Sequence, residues 1–452
     1  MRKGTIGLRI MNQANALDLL MMGHNVFLTG QAGSGKTYLL NRYIDFLKKH
    51  KVNVAVTAST GIAATHLNGM TIHSWSGIGI KDTLSEKDIH KLLASQKLRE
   101  RVQAAKVLVI DEISMLHSYR LDMINQVCKL LCQTSSPFGG LQVIICGDFF
   151  QLPPVNDANH PASCFAYESD SWNELDLKIC YLNEQHRQWD ENLLDVLSSI
   201  RTGDLTEGTY EKLSSRLHRS LPVGIVPTKL YTHNIDVDII NNSELDKIDK
   251  PACSYFMQAG GNPELIETLK RGCLAPELLL LKEGALVMFV KNSHGQGYIN
   301  GTLGKVLGFD GEGYPIIKTY SGQEIVASPA SWTIDKDDKV LAEVCQIPLR
   351  LAWAITVHKS QGMTLDAAEV DLSKTFAYGM GYVALSRVKS LDGIRLLGIN
   401  QMAFQVNPGV SEIDIKFKQI SREITAELKL LGRDEISRRQ KSFLKNNSLT
   451  IK

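Results

Sequence analysis

Gly30-Gln31-Ala32-Gly33-Ser34-Gly35-Lys36-Thr37 decides the fold of this chain. The stretch fits G-x-x-x-x-G-K-[ST] without a mismatch, and its context agrees with the pattern. Asn25 to Thr29 before it reads as a short apolar strand. Tyr38 to Lys49 after it places Leu39, Leu40, Tyr43, Ile44 and Leu47 at helical spacing. Val52 to Thr57 then reads as a second strand. Strand, turn, helix and strand in that order make a βαβ unit, which implies a parallel sheet. The glycines, with Ser34, let backbone N–H groups curl around phosphate oxygens, and the helix start adds partial positive charge. Lys36 suits the outer phosphates of a nucleotide, and the Thr37 hydroxyl suits Mg2+.

Two further apolar runs extend the sheet, Val107-Leu108-Val109-Ile110 and Val143-Ile144-Ile145-Cys146. They are continuous, not alternating, as in parallel strands buried on both faces. Both end in acid, at Asp111-Glu112 and at Gly147-Asp148. Asp111 at a strand tip can hold Mg2+ through water, and Glu112 beside it can deprotonate an attacking water. Gln151, in Gly147-Asp148-Phe149-Phe150-Gln151-Leu152-Pro153-Pro154, is a neutral group suited to sensing the γ-phosphate. Together these parts describe a phosphate-cleaving machine, whose use such folds do not specify.

Strand patterns resume at Lys229–Thr232 and Ala285–Val290. From about 284 to 345 short strands are broken by Gly295, Gly297, Gly301, Gly304, Gly308, Gly311 and Gly313, which suggests a small antiparallel, barrel-like insertion. Parallel-sheet character returns near Ile355. The chain ends in helical sequence that is basic from Ile436 onward. The 452 residues, 44% hydrophobic and 22% charged, exclude a disordered, collagen-like or disulfide-scaffold protein. A net charge of +2 neither marks nor excludes a nucleic-acid binder. The eight cysteines form no Cys-x-x-Cys pair, so zinc-ribbon spacing is absent and reduced thiols are expected. Met1-Arg2-Lys3 leads to Asn12 and Asp18 before any long apolar stretch, so no secretory signal or membrane span is expected.

A series of further motifs carries a resemblance. Val56-Thr57-Ala58-Ser59-Thr60-Gly61-Ile62-Ala63-Ala64 precedes Thr71-Ile72-His73-Ser74-Trp75-Ser76-Gly77. Later come Asn183-Glu184-Gln185-His186-Arg187-Gln188, Val357-His358-Lys359-Ser360-Gln361-Gly362-Met363-Thr364-Leu365 and Tyr382-Val383-Ala384-Leu385-Ser386-Arg387-Val388. With the phosphate motifs, these resemble, in order, the Pif family of superfamily 1B DNA helicases, which is related to the RecD helicases.

The resemblance implies an α/β fold of two RecA-like P-loop domains with parallel sheets, and ATP in the cleft between them. An SH3-like barrel would be inserted in the second domain. The expected division is 1–175, with a small excursion near 63–80, then 176–283 together with 346–400. Residues 284–345 would form the insertion and 401–452 a basic helical tail. Gln13 resembles the family's adenine-contacting glutamine, and Gly362 the position whose backbone approaches phosphate. Arg187 and Arg387, read in the second half, would reach across the cleft to the γ-phosphate. Arg suits this role because its planar fork matches phosphate oxygens. Thr57, Ser59, Thr60, His73 and Ser74 on one domain, and Thr356, His358, Lys359 and Ser360 on the other, offer short donors for DNA phosphates. Trp75 would either stack on a base or plug the core as a buried aromatic. Asn300 joins them from Tyr298–Gly304, which resembles the turn that opens the family's inserted barrel.

The implied activity is an ATP- and Mg2+-dependent, monomeric motor that moves 5′ to 3′ on single-stranded DNA and opens forked or structured DNA. Its setting would be the cytoplasm, at the nucleoid if bacterial, in DNA repair and recombination. Two other readings stay open, a RecD-like subunit of a nuclease complex and a nucleotide switch that does not translocate.

Overall fold

The computed structural model describes residues 11–448 except 68, 80, 156–163, 222–226, 292, 294–295, 299–301, 320–321, 337–338 and 366. The first sheet is built from β1 (Val26–Gly30), β2 (Val54–Ala58), β3 (Met70–Thr71), β4 (Val107–Asp111), β5 (Gln142–Cys146) and β6 (Lys178–Leu182). Its order is β3-β2-β4-β5-β1-β6, and every described pairing is parallel. Every residue of β1, β4 and β5 is buried, because helices cover both faces. Adjacency of β4, β5 and β1 brings Asp111, Gly147-Asp148 and the loop after Gly30 to one edge. That edge, outside the carboxyl ends of the strands, is where open α/β sheets take ligands.

A boundary at 175 is corrected by β6. Five residues of this strand pair with Val26–Gly30, so residues 178–182 belong to the first sheet. Lys178-Ile179-Cys180-Tyr181-Leu182 reads as a strand from sequence, but nothing in it names its neighbour. Arg187 therefore leaves the first sheet and does not come from the second.

The expectation of a tail over 401–452 is also corrected. Helix Pro408–Leu431 lies on β6 and buries Val410, Phe417, Ile424 and Leu428, a stripe at helical spacing. Phe417 meets Phe27 edge to face at 5.2 Å and packs by Trp172 and Phe149. The Tyr181 N–H donates to Ser421 Oγ at 3.0 Å. Helix Arg433–Asn447 then packs on helix Gln13–Met21, where Arg433 pairs with Asp18 at 2.6 Å.

A second, four-stranded parallel sheet holds β7 (Thr228–Tyr231) between Ala354–Thr356 and Ala368–Leu372, with Ile394–Ile399 outermost. Between helix Asn234–Asp246 and Ala354 the chain makes an antiparallel excursion. Five strands form one sheet around Val287, Phe289, Val306, Ile317 and Leu349. The excursion begins before the expected residue 284. Cys253–Phe256 pairs with Leu278–Leu281, and Gln258–Gly261 pairs with Lys339–Gln346. Leu349–Leu351, past 345, closes the five-stranded sheet against Leu286–Phe289. Glycine punctuation marked only the middle of this unit. No described helix is long and apolar enough to cross a membrane.

Candidate functional site

Gly33 and Gly35 shape the loop after β1 with φ of 86° and 82°, values that side chains other than glycine rarely adopt. A Cβ on Gly35 would sit 2.3 Å from Gln13 Nε2, so Gln13 lies against the loop, 3.1 Å from His186 Nε2. Lys36 Nζ donates to the carbonyls of Gly30 (2.8 Å) and Gln31 (3.0 Å). Desolvation lowers its pKa, opposed chiefly by the charge of Asp148. Ser34 Oγ is buried inside the loop and finds no hydrogen-bond partner among the described residues. A loop of curled amides with an unspent hydroxyl fits a phosphate group.

The loop opens on a cavity of about 330 Å³. Gly33, Ser34, Gly35, Lys36 and Thr37 line it with Glu112, Gln151 and Arg187. Gly362 and Arg387 enter from the second sheet's segments. Sequence reading thus assigned most of this wall. It quoted Tyr38, His186 and Thr364 without giving them a role in this wall, and it passed over Trp189 and Lys389. Asp111 lies just behind, buried, and its Oδ1 accepts the Glu112 N–H at 2.9 Å.

Glu112 adopts φ 52°, ψ 46°, a left-handed conformation that costs a non-glycine residue about 1–2 kcal/mol. Such strain collects at working sites. Burial raises its pKa to about 7, the charge of Asp111 adds to this, and Lys36 and Arg387 oppose it. Gln361 crosses from the second sheet, and its Nε2 donates to Glu112 Oε2 (3.0 Å) and to Gln151 Oε1 (3.4 Å). Gln361 was quoted within a motif without a role of its own.

Arg387 is 1% exposed. Its Nε donates to the Val383 carbonyl at 2.9 Å and its Nη2 to Ser386 Oγ at 2.8 Å. Burial and nearby Arg187 lower its pKa to about 9. Arg187 Nη1 donates to the Ser386 carbonyl at 3.1 Å. The two guanidiniums thus meet at one wall, Arg387 from the second sheet's side and Arg187 from the first.

Beneath the cavity lies a buried network that sequence reading missed. Arg201 Nη1 donates to both carboxylate oxygens of Asp148 at 2.8 Å. The same guanidinium donates to the hydroxyls of Tyr382 (3.2 Å) and Tyr181 (2.9 Å) and to Asp414 (3.3 Å), and lies 4.0 Å from the Phe150 ring. Tyr382 Oη in turn accepts the Ala32 N–H at 3.1 Å, which ties the second sheet's helix to the phosphate loop.

The residues offered for DNA divide in two. Thr57 Oγ1 donates to the Val109 carbonyl (2.5 Å), Ser59 Oγ to that of Glu112 (2.6 Å) and Ser360 Oγ to that of Val357 (2.7 Å). These hydroxyls and Thr356 are buried and serve the fold. Trp75 is 3% exposed within the core, so of its two open roles it takes that of a buried plug and not of a stacking platform. Ser74 is exposed, while Thr60, His73, His358 and Lys359 are half-buried. Burial, Arg120 and His117 lower the His73 pKa to about 4, so its ring is neutral. Burial and Arg350 lower that of Lys359 to about 8. Asn300 lies outside the described residues.

A family model described as PIF1-like helicase matches residues 9–207, and one described as the DNA helicase Pif1 2B domain matches 264–309. The ATP-dependent DNA helicase Pif1 of a Psychrobacter strain is 43% identical, over 96% of this chain and 75% of that protein. The chain belongs to the PIF1-like helicase family. The human ATP-dependent DNA helicase PIF1 is 39% identical over 88% of this chain and 62% of its own length. Among solved structures, Candida albicans Pif1 helicase has a TM-score of 0.83 at 36% identity, over 89% of this chain and 98% of that one. A Bacteroides Pif1 helicase in complex with ADP-AlF3 and single-stranded DNA has a TM-score of 0.73 at 31% identity, over 89% and 95%. The two parallel sheets are thus the two RecA-like domains of a PIF1-like helicase, and the 2B match falls inside the antiparallel excursion.

Proposed function

We propose that this PIF1-like chain hydrolyses ATP to move 5′ to 3′ along single-stranded DNA and to open forked or structured duplexes. One observation carries the reading. Groups from both sheets, Glu112 and Gln361, touch across the cavity that holds Lys36. An ATPase whose wall is shared between two domains converts turnover into relative motion of those domains. Relatives seen with single-stranded DNA and at forked duplex support the choice of polymer.

In this reading Lys36 and the loop amides hold the phosphates. Gln13 meets the adenine, and Gly362 lets backbone approach the phosphates closely. A divalent cation fits the hard oxygens of Thr37 and Asp111, and when bound it neutralises phosphate charge. Glu112, with a pKa near 7, takes the proton of the attacking water. Arg387 and Arg187 balance charge developing on the γ-phosphate. Gln151 and Gln361 link the γ-phosphate position to the second domain. DNA phosphates would lie along Thr60, His73 and Ser74 on one domain and His358 and Lys359 on the other. We divide the motor into a first domain ending after β6 and completed by the two C-terminal helices, a second domain around β7, and the antiparallel insertion at 253–351. A DNA substrate would place it at the nucleoid in a bacterium.

The test is unwinding of matched 5′-tailed and 3′-tailed duplexes with ATP and Mg2+. Opening of the 5′-tailed duplex alone is expected. Equal failure on both, with ATPase indifferent to single-stranded DNA, would leave a nucleotide switch.

A further inference from the structure

His73, on the proposed DNA track, is held by a side chain that stands outside the motifs. Arg120 Nη1 lies 3.3 Å from His73 Nε2. A guanidinium donates and cannot accept, so His73 Nε2 is the acceptor of this bond. Burial, Arg120 and His117 keep the ring neutral, with a pKa of about 4. A neutral imidazole carries one proton, and with Nε2 accepting, that proton stands on Nδ1. His73 Nδ1 has no hydrogen-bond partner among the described residues.

Both ends of the contact are braced. Arg120 sits on helix Ser118–Cys132, and its Nη2 donates to Asp82 Oδ1 at 3.0 Å. The Tyr119 hydroxyl donates to the same oxygen at 3.1 Å, and Arg120 Cζ lies 5.6 Å from the centre of the Tyr119 ring. His73 sits on the short helix Ile72–Ser76, which buried Ile72 and Trp75 seat in the core. The Thr71 side chain accepts the Ser74 N–H at 3.3 Å, and Arg101, from helix Gln96–Ala104, donates to the Ser74 carbonyl at 2.9 Å. The charged and titratable groups around the ring are therefore Arg120 and His117, with Asp82 and Tyr119 behind Arg120 and Arg101 one residue along.

We propose that Arg120 is a positioning residue that sets His73 as a neutral donor, whose Nδ1–H takes a phosphate oxygen of the single strand. The inference rests on the helicase reading and deepens its track on the first domain. A neutral donor displaces no counterion, so it adds grip without adding salt dependence. A free histidine would titrate at about 6.5 and change its grip with pH. The ring held by Arg120 does not titrate there, so its contact is constant and easily released in every cycle.

The test uses the full chain with 15N-labelled histidine and reads His73 as the ring signal missing from His73→Ala. In the parent, Nδ1 should be protonated and Nε2 bare from pH 7.5 down to 5.5. Arg120→Met combined with Asp82→Asn keeps the net charge and removes the brace. In that protein the proton should move to Nε2, and the ring should titrate at about 6.5. Single-strand affinity at pH 7.5 should fall roughly three-fold, the loss of one ordinary hydrogen bond, with the salt slope as in the parent. At pH 5.5 the freed ring is charged, and the slope should steepen by about 0.7. His73→Ala should show the same three-fold loss without that pH dependence, and DNA-free ATPase should be unchanged in every variant. A ring signal unmoved by the double substitution overturns the positioning role. A ring that changes while affinity does not overturns the donor role. A slope reduced by about 0.7 at pH 7.5 makes Arg120 itself the phosphate contact and overturns the proposal. A parent that leaves the strand unbound overturns the helicase reading and the proposal with it.

Discussion

The cavity around Lys36 and the track proposed for DNA are built from opposite materials. The cavity gathers charge in places stripped of water: Glu112 at about 7, Arg387 at about 9, and Asp148 clamped by Arg201. The track is neutral or weakly charged, with His73 at about 4 and several hydroxyls already spent on backbone carbonyls. Desolvated charge is strong, directional and costly, which suits a reaction that must be stabilised at one point. A track that must be gripped and released has more use for small contacts that add up.

Arg387→Ala should give the largest effect. Only a fold that closes the two domains on one cavity brings Arg387 opposite Lys36, and its charge is held there against burial. DNA-stimulated turnover should fall by roughly 10³–10⁵, the range for losing an arginine finger. ADP binding and nucleotide-free DNA binding should persist. Arg387→Lys should not restore turnover, because an ammonium lacks the planar fork. Retention of more than about a tenth of the activity would take the transition-state role from Arg387, since that loss is under about 1.4 kcal/mol.

The network under the cavity comes next. Arg201→Ala leaves Asp148 buried without its partner, which should cost roughly 3–5 kcal/mol of stability by denaturant unfolding. Asp414→Asn should cost far less, because that contact is longer, Arg201 keeps its bond to Asp148, and Lys418 is exposed enough for water to take over its charge. Equal losses in the two variants would make the C-terminal helix, not the Asp148 clamp, the anchor of the site.

These two regions were unequally legible. The eight residues from Gly30 to Thr37 announce their conformation, because glycine spacing and a following helix constrain the backbone locally. Asp111, Glu112 and Arg387 stand where motif order put them. Arg201, Asp414 and Tyr382 meet across long stretches of chain, and no periodicity pairs an arginine with a distant aspartate. Helix Pro408–Leu431 shows its apolar stripe in sequence, but β6 as its seat does not. Thr57 and Ser360 misled for a related reason. A hydroxyl written in a motif can donate to phosphate or to its own backbone, and only packing decides.

Acidity separates the regions at about the ten-fold level. Glu112 must be ionised to accept a proton, so turnover should rise through pH 7, by roughly ten-fold between pH 6 and 8. Glu112→Gln should bind ATP and fail to turn over at every pH across that range. The raised pKa works against stability over a lower window, between about 4.5 and 7. The folded protein holds a proton that the unfolded chain gives up near 4.5, so this group's contribution is lost as pH climbs to about 7. On the track the sign reverses. Lys359 loses its charge above about 8, so single-strand affinity should weaken there and Lys359→Ala should remove that dependence.

The smallest effect is the most discriminating for how the track is made. Thr57→Val keeps the shape of a fully buried side chain and removes only a hydroxyl that donates to the Val109 carbonyl. If that hydroxyl serves the sheet, stability should drop by about 1 kcal/mol, a typical net hydrogen bond. Single-strand affinity and its salt slope should not change. Lys359→Ala should leave stability nearly unchanged and reduce the salt slope by about 0.7, one phosphate on a single strand. The two substitutions thus move different observables. A Thr57→Val protein that folds as the parent does but binds DNA several-fold more weakly would mean the hydroxyl turns outward when a strand arrives. Closure on DNA would then have to break the Thr57 bond to the strand that ends at Asp111, which would couple the grip directly to the cavity.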